Sequence, residues 1–288
     1  MVWTHAPTLT AFLDLHEADL LKRESQNSIL MGFLAAVRAG RVAPDDVLFY
    51  GWTAPDDPSG CAVLSMGRKE LLLTETPTAA MAPWVEMLSV ENRLIEEMVG
   101  PVDVCQGFAD HWSAQHAVDP IVDMRQGIYE LTAVKMPDAA GGHLRQAGPA
   151  DSELAGQYFH EFHHACFPEA SQPRAQADVH AARLIEKKRI YFWADANGEL
   201  VSMAAKVRET ENTACISLVY TPPKYRGCGH AARVVGSLSQ QLLDGGKTAC
   251  NLFTDMSNPT SNGVYIRLGY VKISEQYMLR FEPRARDD

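Results

Sequence analysis

The sequence predicts an α/β (α+β) protein with a mixed, mostly antiparallel sheet flanked by helices, arranged as two domains over residues 1–137 and 138–288. Three observations carry that expectation. Short apolar and β-branched runs alternate with stretches of helical periodicity along the whole chain. Near the middle, Pro137-Asp138-Ala139-Ala140-Gly141-Gly142 combines turn formers with small residues that cannot hold a regular element. Towards the end, a glycine-rich loop stands between a strand-like run and an amphipathic helical stripe.

The 288 residues suffice for two modest cores, since domains commonly hold about 100 to 150 residues. Hydrophobic residues make up 46% and charged residues 22%, the balance of a globular protein that folds without staples. The net charge of -10 lies wholly in the first half, where residues 1–137 hold 9 Lys+Arg against 19 Asp+Glu. Such a surface repels phosphate polyanions and anionic lipid, so nucleic acid and membrane partners are disfavoured, whereas a cationic amine is attracted. The six cysteines are too scattered for a zinc ribbon or a disulfide framework and are expected as reduced thiols. The N-terminus carries no leader pattern and no apolar run reaches the roughly 20 residues of a membrane span, so a cytoplasmic location is expected.

From the N-terminus, Leu9 to Leu34 has apolar residues at helical spacing, which predicts one or two helices with Gly40 as a stop. Val47 to Trp52, Cys61 to Met66 and Glu70 to Thr74 read as strands of an antiparallel meander. Residues 84–99 return to helical spacing, and Gly127 to Val134 reads as a strand.

In the second half, His143 to Gln146 is a short strand, and Asp151 is placed to cap a helix through Phe162. A second helix fits Ala175 to Lys188. Ile190 to Ala194 and Leu200 to Val207 flank Asn197-Gly198, which suits a primed hairpin turn. Thr213 to Tyr220 is a strand stopped by Pro222-Pro223. Ala231, Val234, Val235, Leu238 and Leu242 form a helical stripe ended by Gly245-Gly246. Ala249 to Phe253 is a strand, residues 258–268 a helix ended by Gly269, and Tyr270 to Ile273 and Met278 to Phe281 two further strands.

The chemistry concentrates at Arg226-Gly227-Cys228-Gly229-His230-Ala231. A helix N-terminus offers unpaired backbone N–H groups and the positive dipole end to a phosphate, worth about 0.3 to 1 kcal/mol for an exposed charge. Gly227 and Gly229 clear side chains from that approach, and Arg226 adds charge-assisted hydrogen bonds.

With its lead-in Val219-Tyr220-Thr221-Pro222-Pro223-Lys224-Tyr225, this loop resembles the acetyl-coenzyme A signature of GCN5-related N-acetyltransferases (GNATs), with Arg226, Gly229 and Ala231 in its R-x-x-G-x-A positions. Asn258, Ser261, Tyr265, Gly269 and Tyr270 resemble the family's second cofactor-side segment. The resemblance spans roughly residues 142–282, and the Tyr-Thr-Pro-Pro form is similar to a bacterial group of acetyltransferases with a long N-terminal extension. The first half resembles a degenerate acetyltransferase domain without an R-x-x-G-x-A loop, so no second cofactor site is expected there.

The resemblance implies an N-acetyltransferase that moves an acetyl group from acetyl-coenzyme A to a primary amine of a small molecule or peptide. The implied route is direct attack on the thioester through a tetrahedral intermediate. It further implies that Leu218, Val219 and Tyr220 hold the pantetheine arm, with the backbone N–H groups of Val219 and Tyr220 near the thioester oxygen. Arg226, Gly227, Cys228, Gly229, His230 and Ala231 would take the pyrophosphate; Asn258 and Ser261 complete the cofactor side. Tyr265 stands where the family places the tyrosine that hydrogen-bonds the departing sulfur. With reference pKa values of about 10 for a phenol and 8.5 for a thiol, full proton transfer is uphill by roughly 2 kcal/mol, which favours hydrogen bonding over transfer. Glu161, Glu209 and Glu211 are candidate general bases, each also readable as a solvent-facing carboxylate.

Two other readings stand beside this one. His160-Glu161-Phe162-His163-His164 satisfies the H-E-x-x-H pattern of zinc metallohydrolases, with Glu186 as a third ligand; in the acetyltransferase reading the same histidines contact the acceptor. A non-catalytic acyl-coenzyme A sensor would keep the loop without turnover.

Overall fold

The computed structural model describes residues 2–53, 60–137, 141–167 and 172–284. Its compact units are residues 1–128, 255–257 and 273–288 for the first, and 129–254 and 258–272 for the second. Part of the expected linker, residues 138–140, lies outside the described residues.

The first unit begins with β1 (Val2–Ala6), α1 (Leu9–Lys22) and α2 (Ser28–Arg38). The Thr8 hydroxyl caps α1 by accepting from the Ala11 N–H, and Gly40 takes a φ of 66° beyond α2, as the expected stop requires. β2 (Val47–Thr53), β3 (Cys61–Ser65) and β4 (Glu70–Leu73) form the expected antiparallel meander. The expected helix over 84–99 is corrected: α3 (Met81–Val90) stops early and β5 (Glu97–Pro101) follows. Asn92 turns the chain with φ 51°, and the Asn92 and Arg93 N–H groups close on the Ser89 and Leu88 carbonyls. The apolar Ile95 and Met98 fitted a helical stripe equally well, but here they enter a core built by a strand parallel to β4. Helix α4 (Val102–Gln115), which periodicity did not reveal, and β6 (Val118–Leu131) complete the half.

The second unit runs β7 (Gly142–Gln146), α5 (Ser152–Cys166), α6 (Arg174–Glu186), β8 (Ile190–Asp195), β9 (Leu200–Glu209), β10 (Thr213–Tyr220), α7 (His230–Asp244), β11 (Ala249–Asp255) and α8 (Pro259–Leu268). Asp151 does not cap α5. Its carboxylate instead accepts from the Gly148 N–H at 2.8 Å and binds Arg145 at 2.6 Å. The expected hairpin forms, with β8 and β9 antiparallel about Asn197-Gly198, but its turn type is corrected: only Gly198 has positive φ (82°), so the primed turn gives way to a longer loop with a register shift in the ladder. The two strands expected after Gly269 are one, β12 (Val271–Pro283), whose residues from 273 onward belong to the first unit and pair there with β5, antiparallel over 276–280.

Both halves therefore use one plan, strand, two helices, three strands, helix, strand, helix, strand, although no sequence repeat betrays it. Sheet order also repeats, as β1-β2-β3-β4-β5 and as β11-β10-β9-β8-β7. In each, a single parallel pair (β4 with β5, β10 with β11) interrupts an antiparallel sheet. The first unit's core gathers Trp3, Tyr50, Trp84, Phe108 and Trp112 on one sheet face, and Phe12, Leu34 and Phe49 on the other. The second unit packs Tyr158, Phe159, Ile185, Phe192 and Met203 beneath α5 and α6. No helix among the described residues is long and apolar enough to cross a membrane.

Candidate functional site

The parallel pair in the second unit is short. Thr213, Ala214 and Cys215 oppose Ala249, Cys250 and Asn251, and β10 then continues for five residues to Tyr220 with no partner on β11. On its other side, the ladder with β9 skips from Ser217 to Tyr220, leaving Leu218 and Val219 outside the register. Leu218 takes φ 52°, rare for a branched residue and the mark of a bulge that turns the backbone of this segment. The two strands thus part over the residues that sequence reasoning assigned to the pantetheine arm.

The chain then turns through Pro222 and Pro223 into the glycine loop. Gly227 and Gly229 both occupy the left-handed region, at φ 80° and 77°, which other residues reach only with strain. A Cβ at Gly227 would meet nothing within 4 Å, so the space before the loop is open. Gly229 is the N-cap of α7, and the first intrahelical bond runs from Arg233 N–H to the Gly229 carbonyl, so the preceding N–H groups of the first turn point outward. Arg226 donates from Nε to the Thr221 carbonyl at 3.0 Å and lies 6.0 Å from the Tyr220 ring centre. His230 keeps a buried Nδ1 without a hydrogen-bond partner, and its pKa is lowered by burial and then by Arg233. Cys228 is exposed, and Ala231 is half-buried at the start of the helix.

Sequence reasoning missed Arg233. Its guanidinium reaches back along the first turn of α7 and donates to the Cys228 carbonyl at 2.7 Å. The available signal was its spacing, one helical turn after Gly229.

At α8, the Asn258 carboxamide oxygen caps the helix by accepting from the Ser261 N–H at 3.1 Å, so both residues shape the helix start. Tyr265 is buried two turns on, with its ring 6.1 Å from that of Tyr270. Burial and then the nearby Cys166 push its pKa well up, so the phenol stays protonated and available as a donor.

Of the three candidate bases, Glu209 is held by Lys206 at 2.7 Å and Lys247 at 3.3 Å. Although burial alone would raise its pKa, the two ammonium groups hold it below the usual carboxylate range. It lies opposite Ala214, where β10 and β11 are still joined, and Glu211 sits in the turn before β10. Glu161 on α5 faces Tyr220 instead: burial and then Glu161 push that phenol up to about 12. The Glu161 carboxylate also accepts from Gln157 at 2.9 Å.

The histidines of the H-E-x-x-H stretch lie in the last two turns of α5. His160 engages the Gln172 carbonyl at 3.0 Å through Nδ1, His164 is exposed, and Glu186 is exposed at the end of α6. Among the described residues, no group of three or more His, Cys, Asp and Glu side chains is arranged to hold a metal. His163 has its pKa lowered by burial first, then by His160 and His180.

The family model of the acetyltransferase (GNAT) family matches residues 156–270, from α5 through the glycine loop to the end of α8. This segment is a GNAT domain. No curated protein is significantly similar to the chain in sequence. Solved structures with a similar fold include a GCN5-related N-acetyltransferase from Sphaerobacter thermophilus, at 15% identity and TM-score 0.59 over 99% of this chain and 96% of that one. A GNAT-family acetyltransferase from Colwellia psychrerythraea matches at 14% identity and TM-score 0.56 over 98% and 99%. A tandem GNAT protein from the clavulanic acid biosynthesis pathway matches at 11% identity and TM-score 0.54 over the whole of both chains. At these identities the likeness is one of fold.

A GNAT domain implies acyl transfer from an acyl-coenzyme A, and the residues present fit that donor. The open space before Gly227, the outward N–H groups of the first α7 turn, and Arg226 and Arg233 beside them suit a pyrophosphate. The orphaned Nδ1 of His230 is a further polar atom awaiting a partner.

Proposed function

We propose that the GNAT domain transfers an acetyl group from acetyl-coenzyme A to a primary amine of a small molecule or peptide. The observation that carries this reading is the parting of β10 from β11 beyond Cys215, with the glycine loop at its open end. The donor, when bound, supplies the activated thioester. Arg226, Gly227, Cys228, Gly229, His230 and Ala231 hold its pyrophosphate, and Leu218, Val219 and Tyr220 hold the pantetheine arm while backbone N–H groups face the carbonyl oxygen. Asn258 and Ser261 fix the start of α8, which carries Tyr265. The buried, protonated Tyr265 donates a hydrogen bond to the departing sulfur, in keeping with a pKa pushed away from that of a thiol.

Glu161 is our choice of general base, since it alone of the three carboxylates faces the open end of β10. It accepts the proton that an alkylammonium, with pKa about 10.4, must lose before it attacks. The acidic first half favours a cationic acceptor. The two-domain division at 137/138 and a cytoplasmic setting belong to the same proposal.

The test is direct. Acetyl-coenzyme A raises the melting temperature, and an amine library then releases free thiol. Stabilisation without release on any amine selects the sensor reading, and the absence of both effects overturns the donor assignment. About one tightly bound zinc per chain, in protein purified without immobilised metal, would select the hydrolase reading.

A further inference from the structure

We propose that the first unit carries a separate binding site for a small zwitterion, a molecule with one ammonium and one carboxylate such as an α-amino acid. The site is a cleft of about 200 Å³ between the C-terminal end of α1 and the sheet end where β3 begins and β4 finishes. Pockets for drug-sized ligands run about 300–1,000 Å³, so this one takes a small metabolite and not a coenzyme A. Nor does the first unit offer the parted strands of the second, because β4 ends one residue past its last pair with β5.

The lining sets the ligand's charge. Asp19 and Lys22 satisfy each other in an ion pair on α1. That leaves Arg23 and Glu75, which line the same cleft with opposite charges, yet neither side chain has an ion pair or hydrogen bond among the described residues. An occupant bearing a carboxylate and an ammonium satisfies both: the guanidinium fork matches a carboxylate, and the Glu75 carboxylate accepts from an ammonium. A dicarboxylate or a diamine would set like charges against one of the two.

The rest of the cleft is held in place. Thr74 accepts from the Cys61 N–H at 2.9 Å and donates to the Cys61 carbonyl at 3.1 Å, which fixes the floor. His16 forms a buried wall: its ring lies on β2 where Gly51 leaves room, since a Cβ there would stand 2.1 Å from Nε2. Burial lowers the His16 pKa, so this wall is polar and neutral at pH 7.

The test is calorimetric titration of the full chain with the proteinogenic amino acids, then with the decarboxylated and deaminated counterparts of any that bind. We expect at least one amino acid to bind, Arg23→Gln and Glu75→Gln each to weaken it at least about tenfold, and saturating coenzyme A to leave it unchanged. Arg23→Gln should also abolish the preference over the decarboxylated amine, and Glu75→Gln the preference over the deaminated acid. Melting temperatures of both variants verify their fold. The proposal is overturned if no amino acid binds up to about 10 mM, if both variants bind within about twofold of the parent, or if coenzyme A displaces the ligand.

Discussion

The guanidinium of Arg233 donates to the carbonyl oxygen of Cys228 across 2.7 Å, tying the first turn of α7 to the glycine loop before it. One side chain therefore both braces the loop and adds positive charge where the helix dipole already favours an anion. Arg233→Met should weaken coenzyme A binding about tenfold, some 1.4 kcal/mol, measured by calorimetry. Unchanged affinity would limit Arg233 to packing.

Gly229 caps the same helix at φ 77°. An alanine there costs roughly 1–2 kcal/mol of backbone strain. Gly229→Ala should raise the KM for acetyl-coenzyme A several-fold with little effect on overall folding, because the strain falls on an exposed loop. Equal KM values in steady-state kinetics would argue that the loop tolerates another shape.

Removing the Tyr265 hydroxyl should separate chemistry from binding. Tyr265→Phe is expected to lower kcat about 10- to 100-fold, or 1.4–2.7 kcal/mol, while the Kd for coenzyme A stays within about twofold. Because its folded pKa lies above the usual phenol value, the parent should show no loss of rate from this group up to about pH 10. A kcat equal to the parent's, with a verified acceptor, removes Tyr265 from the mechanism.

Glu161→Gln keeps the bond from Gln157 within reach but abolishes the basic group. A drop of about 10² to 10⁴ in kcat/KM is the expected size for a lost general base. Glu209→Gln serves as the contrast and should leave the rate alone while costing about 0.2–1 kcal/mol of stability at neutral pH. The sign follows from linkage: Lys206 and Lys247 hold the folded pKa of Glu209 below its unfolded value, so its stabilisation is present above about pH 4.3 and fades as pH falls through the folded pKa. Chemical denaturation at neutral and acid pH measures both limbs.

Gly51→Ala should lower stability by about 1–3 kcal/mol, because the added methyl strikes the buried ring of His16. Adding His16→Ala to that variant should recover part of the loss. Two additive losses in thermal melts would mean that the collision is not the cause.

Much of the candidate site was legible because its conformation is local. A loop that needs left-handed backbone at two positions must show glycines there, and Gly227 and Gly229 do. The N-cap at Asn258 and the stop at Gly269 are visible for the same reason, since each depends on residues within one turn. Arg233 and Glu161 were harder to place. An arginine on a helix and a glutamate on another look like solvated surface until the fold brings them beside Cys228 and Tyr220.

The sequence by itself determined the glycine loop at 226–231, the N-cap at Asn258 and the stop at Gly269, all set by interactions between residues close along the chain. Only the tertiary structure decided that residues 97–101 form a strand, that β10 leaves β11 after Cys215, and that β12 pairs with β5. It alone also revealed one element plan used twice, with Arg23 and Glu75 facing a common cleft in the first use. Strand pairing and clefts are made by residues far apart in sequence, and the apolar pairs Leu94-Ile95 and Met98-Val99, set around Glu96-Glu97, satisfy helical spacing until a neighbouring strand offers its free hydrogen-bonding edge.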